Sequence, residues 1–569
     1  MTAHVDPPAG VLDWLLLAAV LAPLVGGAVI GMLAEHRYRL RNAIALLTTG
    51  AVAVVALVLG RAVLQGAPPA VTAWRVSPLL YMGFAVDRLG VLFSVTASVL
   101  WTATVIYSWG YLGRSPNQRR YFAFLTASLG AAMGVAWAGN LFTMYAFYEL
   151  LSFSTYALVV HEGGRAAARA GRIYIAYSLT GASLVLLGIT GTLVAGGSLE
   201  FVPGGLLSAM GGGAGAGLGA GVGAGAGPAV YGIALCLLAG FGVKGALMPL
   251  HGWLPQAMVA PTPISGLLHA VAVVKSGVFS ITRALYWVLG SGLLARTGIN
   301  NALALAAAVS ILLASIAALR QDVLKRRLAY STVSMLAYIS LGAATLNAAG
   351  ITGGLLHLVM HAAMKITLFL AAGIIINRTG RTRVSELDGI GRVLPWTMAA
   401  FAVASAGMVG IPPLAGFVSK WYLLQGVLGA WGYGAVAVLL VSSLLNAAYL
   451  FPVVTRAYLG TWKPSVAGAE EHGHAHGHGD AAGETALDTH HGAPGGDPSA
   501  PGGDPSAALA PDAAAARTGR RPPEAPWSML APVLLLALLC VVLGLWPGSP
   551  LATITGLLGG MLGAGAAGP

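Results

Sequence analysis

"LLAGFGVKGALMPLHGWLP" (residues 237–255) sets Lys244, Pro249, His251 and Pro255 inside an otherwise apolar run. A lysine carries an ammonium and each proline removes a backbone donor, so neither suits a plain hydrophobic helix. The flanks fix the setting. The chain has 569 residues, 57% hydrophobic and 9% charged, with a mean hydropathy of +0.78. A soluble protein of this size needs a larger charged surface, so the composition points to lipid as the solvent.

Fourteen apolar segments are long enough to span: 11–33, 40–60, 87–110, 121–137, 139–160, 171–196, 229–259, 262–286, 299–319, 328–347, 351–377, 394–428, 432–458 and 527–547. About 20 apolar residues cross roughly 30 Å of hydrocarbon. In lipid the backbone must close its hydrogen bonds internally, and these runs exceed barrel strands, so the expected fold is an all-α, polytopic bundle. The start "MTAHVDPPAG" lacks a basic n-region, so no cleaved signal peptide is expected.

Basic residues alternate between the two sides. Loops after odd-numbered spans hold Arg37, Arg39 and Arg41; Arg114, Arg119 and Arg120; Arg165, Arg169 and Arg172; Arg320, Lys325, Arg326 and Arg327; Arg378, Arg381, Arg383 and Arg392; and Arg456, Lys463, Arg517, Arg520 and Arg521. The opposite loops hold few: Arg61, Arg75, Arg88, Arg283 and Arg296. By the positive-inside rule both termini face outward, in the cell's inner (plasma) membrane. The formal charge of +12 is then a topological signal rather than a nucleic-acid surface.

Cys236 and Cys540 both lie in apolar segments and no CxxC occurs, so no iron–sulfur cluster or c-type haem is expected, and no other cofactor. Residues 211–227 (GGGAGAGLGAGVGAGAG) read as a flexible linker; their GxGxxG matches are accidents of composition. Residues 461–526, rich in Pro, Gly, Ala and His, read as a disordered loop before the last span. Within it "EEHGHAHGHGD", with His490 and His491, is read as solvated low complexity rather than a metal site.

Few ionisable residues remain once the loops are set aside. Glu149 lies mid-span in "NLFTMYAFYELLSFSTYALVV" (140–160), and Lys244, Lys275, Lys365 and Lys420 are its cationic counterparts, joined by His251, His269, His357 and His361. A charge at the bilayer centre costs at least about 2.5–3.5 kcal/mol, so each should face protein or water. Lys275 and Lys365 stand about 18 Å of helix from either end of their spans, too far to snorkel. Burial disfavours an ammonium and a nearby carboxylate restores it, so a Glu–Lys pair can switch proton affinity. "LLHLVMHAAMKITLFL" (355–370) spaces His357, His361 and Lys365 at i, i+4 and i+8, on one helical face. Such a stripe suits a proton wire; zinc would need a third ligand that the sequence does not offer nearby. His269 and Lys275, six apart, point to different faces.

Pro249 and Pro255 should stop a helix in mid-membrane and free its carbonyls. "GMVGIPPLAGFVSKWYLL" (407–424) repeats the device, with Pro412 and Pro413 before Lys420. "PLHGW" (249–253) and "PLAGF" (413–417) share the pattern P-L-x-G-aromatic. Paired interrupted helices in two halves point to a transporter built from repeats.

With these residues the chain resembles the antiporter-like membrane subunits shared by respiratory complex I (subunits L, M and N), membrane-bound hydrogenases and Mrp-type cation/proton antiporters. The likeness covers about 85–460 and rests on "YELLSFSTYALV", "VKGALMPLHGWLPQAMVAPTPISGLLHAVAVVKSGVF", "RQDVLKRRLAYSTVSMLAYISLG", "LHLVMHAAMKITLFLAAG" and "GIPPLAGFVSKWYLL". It implies about fourteen helices in two inverted five-helix repeats, spans 4–8 (116–290) and 9–13 (295–460), with helices 7 and 12 discontinuous. Residues 1–115 then form three leading helices and 527–569 the last helix and tail. It also implies Glu149 paired with Lys244, Lys275 as the connecting lysine, Lys365 with its histidines, and Lys420 as the terminal charge. Subunit M usually has glutamate at the Lys420 position. Subunit L ends in a long lateral helix, for which "GLLGGMLGAGAAGP" (556–569) is too glycine-rich. The D-type member of the Mrp antiporters is the nearest branch, with a complex I-like or hydrogenase subunit as the alternative. The resemblance implies proton transport with Na+ as candidate counter-ion, partner membrane subunits, and no redox or hydrolytic site in this chain.

Overall fold

A computed structural model describes residues 10–113, 115–210, 227–462 and 524–562. The helices are α1 (Val11–Met32), α2 (Tyr38–Leu64), α3 (Arg88–Leu112), α4 (Gln118–Ala136), α5 (Leu141–Val159), α6 (Gly164–Gly196) and a short α7 (Leu206–Met210). There follow α8 (Pro228–Lys244), the single turn α9 (Trp253–Gln256), α10 (Thr262–Ala270), α11 (Val273–Arg283) and α12 (Ser291–Thr297). The second half holds α13 (Ile299–Leu319), α14 (Leu324–Ala344), α15 (Ala348–Thr379), α16 (Pro395–Val409) and α17 (Ala415–Leu459). Last come α18 (Trp527–Leu545) and α19 (Gly548–Leu562). Each of the fourteen apolar segments falls on one helix or on a broken pair. The Gly-rich linker at 211–226 and the His-rich loop at 463–523 lie outside the described residues.

The protein is a polytopic helical membrane protein. Among the described residues nine helices are long and apolar enough to cross a membrane. The surface is inverted relative to a soluble protein: Leu47, Leu187, Leu235 and Leu444 are all exposed. Exposed Trp527 and Trp546 bracket α18, about 28 Å apart along the helix, which matches the hydrocarbon thickness. At the centre, α15 and the segment Thr262–Leu289 are buried along their whole apolar windows. α14 is of spanning length but more polar; Ser331, Thr332 and Ser334 are buried against neighbours instead of lipid.

Several features depart from the sequence reading. A β-hairpin, β1 (Ala70–Ser77) and β2 (Leu80–Ala85), pairs Ala70 with Ala85 and Ser77 with Leu80. It holds the start of α5, since Gly83 N donates to Thr143 Oγ1 (3.0 Å) and Asn140 Nδ2 to the Tyr81 carbonyl (3.2 Å). The span at 262–286 is interrupted at Val271 and Ala272, where Ala272 has φ −84° and ψ −95°. Lys275 therefore sits in the first turn of α11 and not in mid-helix. Gly548–Leu562, which includes the first part of the glycine-rich tail, forms α19, because Ile554, Leu557, Leu558 and Met561 bury an apolar face. That packing outweighs a cost of about 1 kcal/mol per glycine. Pro255 breaks no helix; it is buried inside the turn α9. The breaks themselves are Gly245–Gly252, containing Pro249, and Gly410–Leu414, containing Pro412 and Pro413. Both carry a cis peptide bond, Met248–Pro249 and Pro412–Pro413. α17 bends sharply at Gly432 (φ 73°, ψ −164°), a conformation glycine adopts without strain, and so divides the two spans read there.

Candidate functional site: a buried line of lysines and histidines

Each break ends a helix inside the bundle: after α8 the turn Gly245–Leu247 and Trp253 Nε1 take up the Phe241, Gly242 and Val243 carbonyls, whereas after α16 the Met408 and Val409 carbonyls are left for a side chain. Lys244 is the last residue of α8 and is 1% exposed. Its Nζ donates to the Tyr148 carbonyl, lies 3.2 Å from the centroid of the Tyr148 ring, and stands 3.6 Å from Glu149 Oε1. Glu149 is 14% exposed and also accepts from Ser152 Oγ (3.4 Å). α5 thus supplies Lys244 with a carbonyl, a ring face and a counter-charge from two adjacent residues.

α11 is brought against this break by Gly277, where a Cβ would overlap the Lys244–Gly245 backbone. Lys275, two residues before Gly277, is buried, and its Nζ has no hydrogen-bond partner among the described residues. The same holds for both ring nitrogens of His269 and His361 and for His357 Nε2. Buried polar atoms without partners are rare and costly, so this concentration marks a site rather than a core. α15 places His357, His361 and Lys365 along one face, and the His357 and His361 rings stack at 5.7 Å. His361 lies within electrostatic reach of Lys275, Lys365, His357 and His269, so protonation of any one of these groups is felt by the next. Lys365 donates to Ser331 Oγ (2.5 Å) and the Leu328 carbonyl (3.3 Å) of α14.

The far end repeats the first in altered form. Lys420 donates to the Met408 and Val409 carbonyls, the last two of α16, both at 2.9 Å, and to Ser443 Oγ at 3.0 Å. Ser419, its neighbour, meets His357 Nδ1 at 2.9 Å, which ties this end to the α15 stripe. The structure therefore pairs Glu149 with Lys244, stacks His357 on His361, and sets Lys275, His269 and Lys365 within electrostatic reach of His361 without a direct polar contact among them. Between Lys244 and Lys275 it provides backbone contact at Gly277 and no direct polar contact. His251 stands apart in the first break, half-buried, its ring 6.1 Å from that of Tyr330.

Sequence reasoning missed Lys325. In "LKRR" (324–327) it reads as one more basic loop residue, yet it is 1% exposed and donates to the Ala260 carbonyl (2.9 Å). It lies within electrostatic reach of His269. The hydroxyls of Ser331, Ser419 and Ser443 were missed as well, being common in membrane helices; the adjacency of Ser419 to Lys420 was the one available signal.

The family profile described as "NADH:quinone oxidoreductase/Mrp antiporter, TM" matches residues 138–446, which hold every one of these groups. The chain belongs to that family. NADH-quinone oxidoreductase subunit N of Desulforudis audaxviator is 37% identical over 429 residues, 74% of this chain and 80% of that relative. NAD(P)H-quinone oxidoreductase chain 5 of a Picosynechococcus species is 30% identical over 480 residues, 82% of this chain, which spans 64% of that relative. Within this antiporter family the fold is also shared with a chain of the Mrp complex from a Dietzia species, at a TM-score of 0.76, 21% identity and 98% coverage of both chains.

Proposed function

We propose that this chain is the proton-translocating membrane subunit of a multi-subunit complex, passing protons along Glu149, Lys244, Lys275, Lys365 and Lys420 with His269, His357 and His361 as intermediates. The observation that carries the reading is the buried stripe on α15, where the His357 and His361 rings stack at 5.7 Å and His361 lies within electrostatic reach of Lys275, Lys365 and His269. An imidazole accepts a proton on one nitrogen and releases it from the other, so it can pass charge between ammonium groups without moving far. The Glu149–Lys244 pair sets the proton affinity at one end, and release of either partner changes it. His251 in the first break is an auxiliary entry point.

Two complexes suit such a subunit. A role like that of the D-type Mrp member, with Na+ exchanged for protons, is supported by the end-to-end likeness to a chain of the Mrp complex. A role in a redox-driven NADH-quinone oxidoreductase is supported by the 37% identity to a subunit N. We place the chain in the cell's inner membrane with both termini outside, on the asymmetry of its basic loops. Reconstituted into liposomes with its partner subunits, the protein should acidify or alkalinise the lumen, read by a pH-sensitive dye. Lys275→Ala and Glu149→Ala should each abolish that signal while the complex still assembles; normal transport by either variant would end the assignment. Dependence of the signal on Na+ distinguishes the exchanger from the redox pump.

A further inference from the structure

A cavity of about 620 Å³ lies between α2, α3, α15, α18 and α19, on the side of the bundle away from the lysine line. Its α3 wall is Val91, Leu92, Val95 and Val99, spaced so that one helical face lines it over about 12 Å. Its inner end reaches Val359 and Ala363 of α15, two residues on from His357 and His361 and therefore on the opposite face of that helix. The lining is apolar almost throughout, and Arg61, at the end of α2, is its charged member.

Arg61 lies on the sparsely basic side of the protein, together with Arg75, Arg88 and Arg283. Arg283 is paired with Asp87, and Arg75 lies over the Tyr81 ring at 5.4 Å. Arg61 and Arg88, by contrast, have no hydrogen-bond or ion-pair partner among the described residues. Arg88 is one turn before Val91 on the groove-lining face of α3, and its guanidinium abuts Gly556 of α19. The same mouth holds Ser549, in the first turn of α19, where unused backbone N–H groups favour an anion. An apolar slot about 12 Å long, with two uncompensated guanidinium groups at one end, has the chemistry of an acyl chain below a phosphate.

We infer that this groove binds an anionic glycerophospholipid, its acyl chain between α3 and α18 and its phosphate on Arg61 and Arg88. The lipid would then brace α15 from behind, on the face opposite His361 and Lys365. A neutral quinone or an apolar helix would gain from the slot but not from the arginines.

The test uses the full chain in its complex, delipidated in mild detergent and titrated with dioleoylphosphatidylglycerol or dioleoylphosphatidylcholine, with bound lipid counted by native mass spectrometry. Phosphatidylglycerol should be held more tightly than phosphatidylcholine. Arg61→Gln and Arg88→Gln should each weaken it about tenfold, the equivalent of one charge-assisted contact, while weakening phosphatidylcholine, whose choline offsets the phosphate charge, less. Val95→Trp, which fills the slot, should displace both lipids. Equal retention of the two lipids by the wild type, or no response to the arginine pair, would overturn the inference. So would lipid binding that survives Val95→Trp, or recovery of a quinone from the slot in protein taken directly from membranes.

Discussion

Lys244 and Lys420 occupy matching places at two broken helices and are held by different chemistry. Both stand at the negative end of a helix dipole inside the bundle, but only Lys420 caps the carbonyls of a broken helix end; Lys244 takes its carbonyl from Tyr148 of α5. Lys244 ends its own helix and gains a carboxylate, Glu149, at 3.6 Å. Lys420 stands beyond its break, on α17, and reaches back to the carbonyls of Met408 and Val409. Its third partner is a hydroxyl, Ser443, and no carboxylate faces it among the described residues. One lysine is neutralised by an opposite charge and the other only solvated by dipoles. An ion pair can be broken by protonating its acid, whereas a dipole cage has no second titrating member. The first site is therefore built to switch, and the second to hold or release according to what arrives from the α15 stripe.

The largest effect should come from breaking the pair. Lys244→Met leaves the Glu149 carboxylate without its cation, and removing one partner of a buried pair costs about 3–5 kcal/mol; Glu149's 14% exposure places it near 3. Thermal unfolding in detergent should show it as a clear loss of midpoint, and Glu149→Gln added to Lys244→Met should recover most of that loss. Transport should not recover, since a positioned proton donor is worth about a hundredfold or more in rate. Lys420→Met should cost less, about 1–3 kcal/mol, because it strands carbonyls and a hydroxyl but no charge. Equal losses at the two lysines would erase the distinction.

The charges were legible because each violates the composition around it: Glu149, Lys244, Lys365 and Lys420 are conspicuous as soon as the segments are read as membrane spans. Pro249, Pro412 and Pro413 announced the two breaks in the same way. The third interruption, at Val271 and Ala272, was not legible, since neither residue is a proline or glycine that would break a helix by itself. Lys325 was hidden by its neighbours, Arg326 and Arg327, which make a buried lysine look like a loop residue. The hairpin at 70–85 was concealed between two long helices, and its hold on the start of α5 becomes visible only in three dimensions. Position on a helix face can be computed from spacing, but which face meets which partner cannot.

A smaller effect should fall equally on both halves. Gly277 lies against the Lys244–Gly245 backbone and Gly416 against the Gly407 carbonyl, so a methyl at either has backbone in its way. Gly277→Ala and Gly416→Ala should each destabilise by about 1–3 kcal/mol through overpacking, measured as a fall in unfolding midpoint. Similar losses would show that the two breaks share their packing and differ only in electrostatics.

The smallest and most discriminating effect concerns the rings beneath the two lysines. Lys244 Nζ is 3.2 Å from the Tyr148 ring centroid, while Lys420 Nζ is 5.5 Å from that of Tyr338. Attraction between an ammonium and an aromatic face reaches about 2 kcal/mol when desolvated and close, and fades with distance. Tyr→Leu at either position also leaves a cavity, so single variants mix packing with charge. A double-mutant cycle removes the common part: Tyr148→Leu with Lys244→Met should show coupling of about 1–2 kcal/mol. Tyr338→Leu with Lys420→Met should show less than about 0.5 kcal/mol. Tyr148→Phe, which keeps the ring and deletes a hydroxyl that has no partner among the described residues, should be close to neutral. A coupling at Lys420 as large as that at Lys244 would mean that the ring, and not the missing carboxylate, is what the two sites have in common.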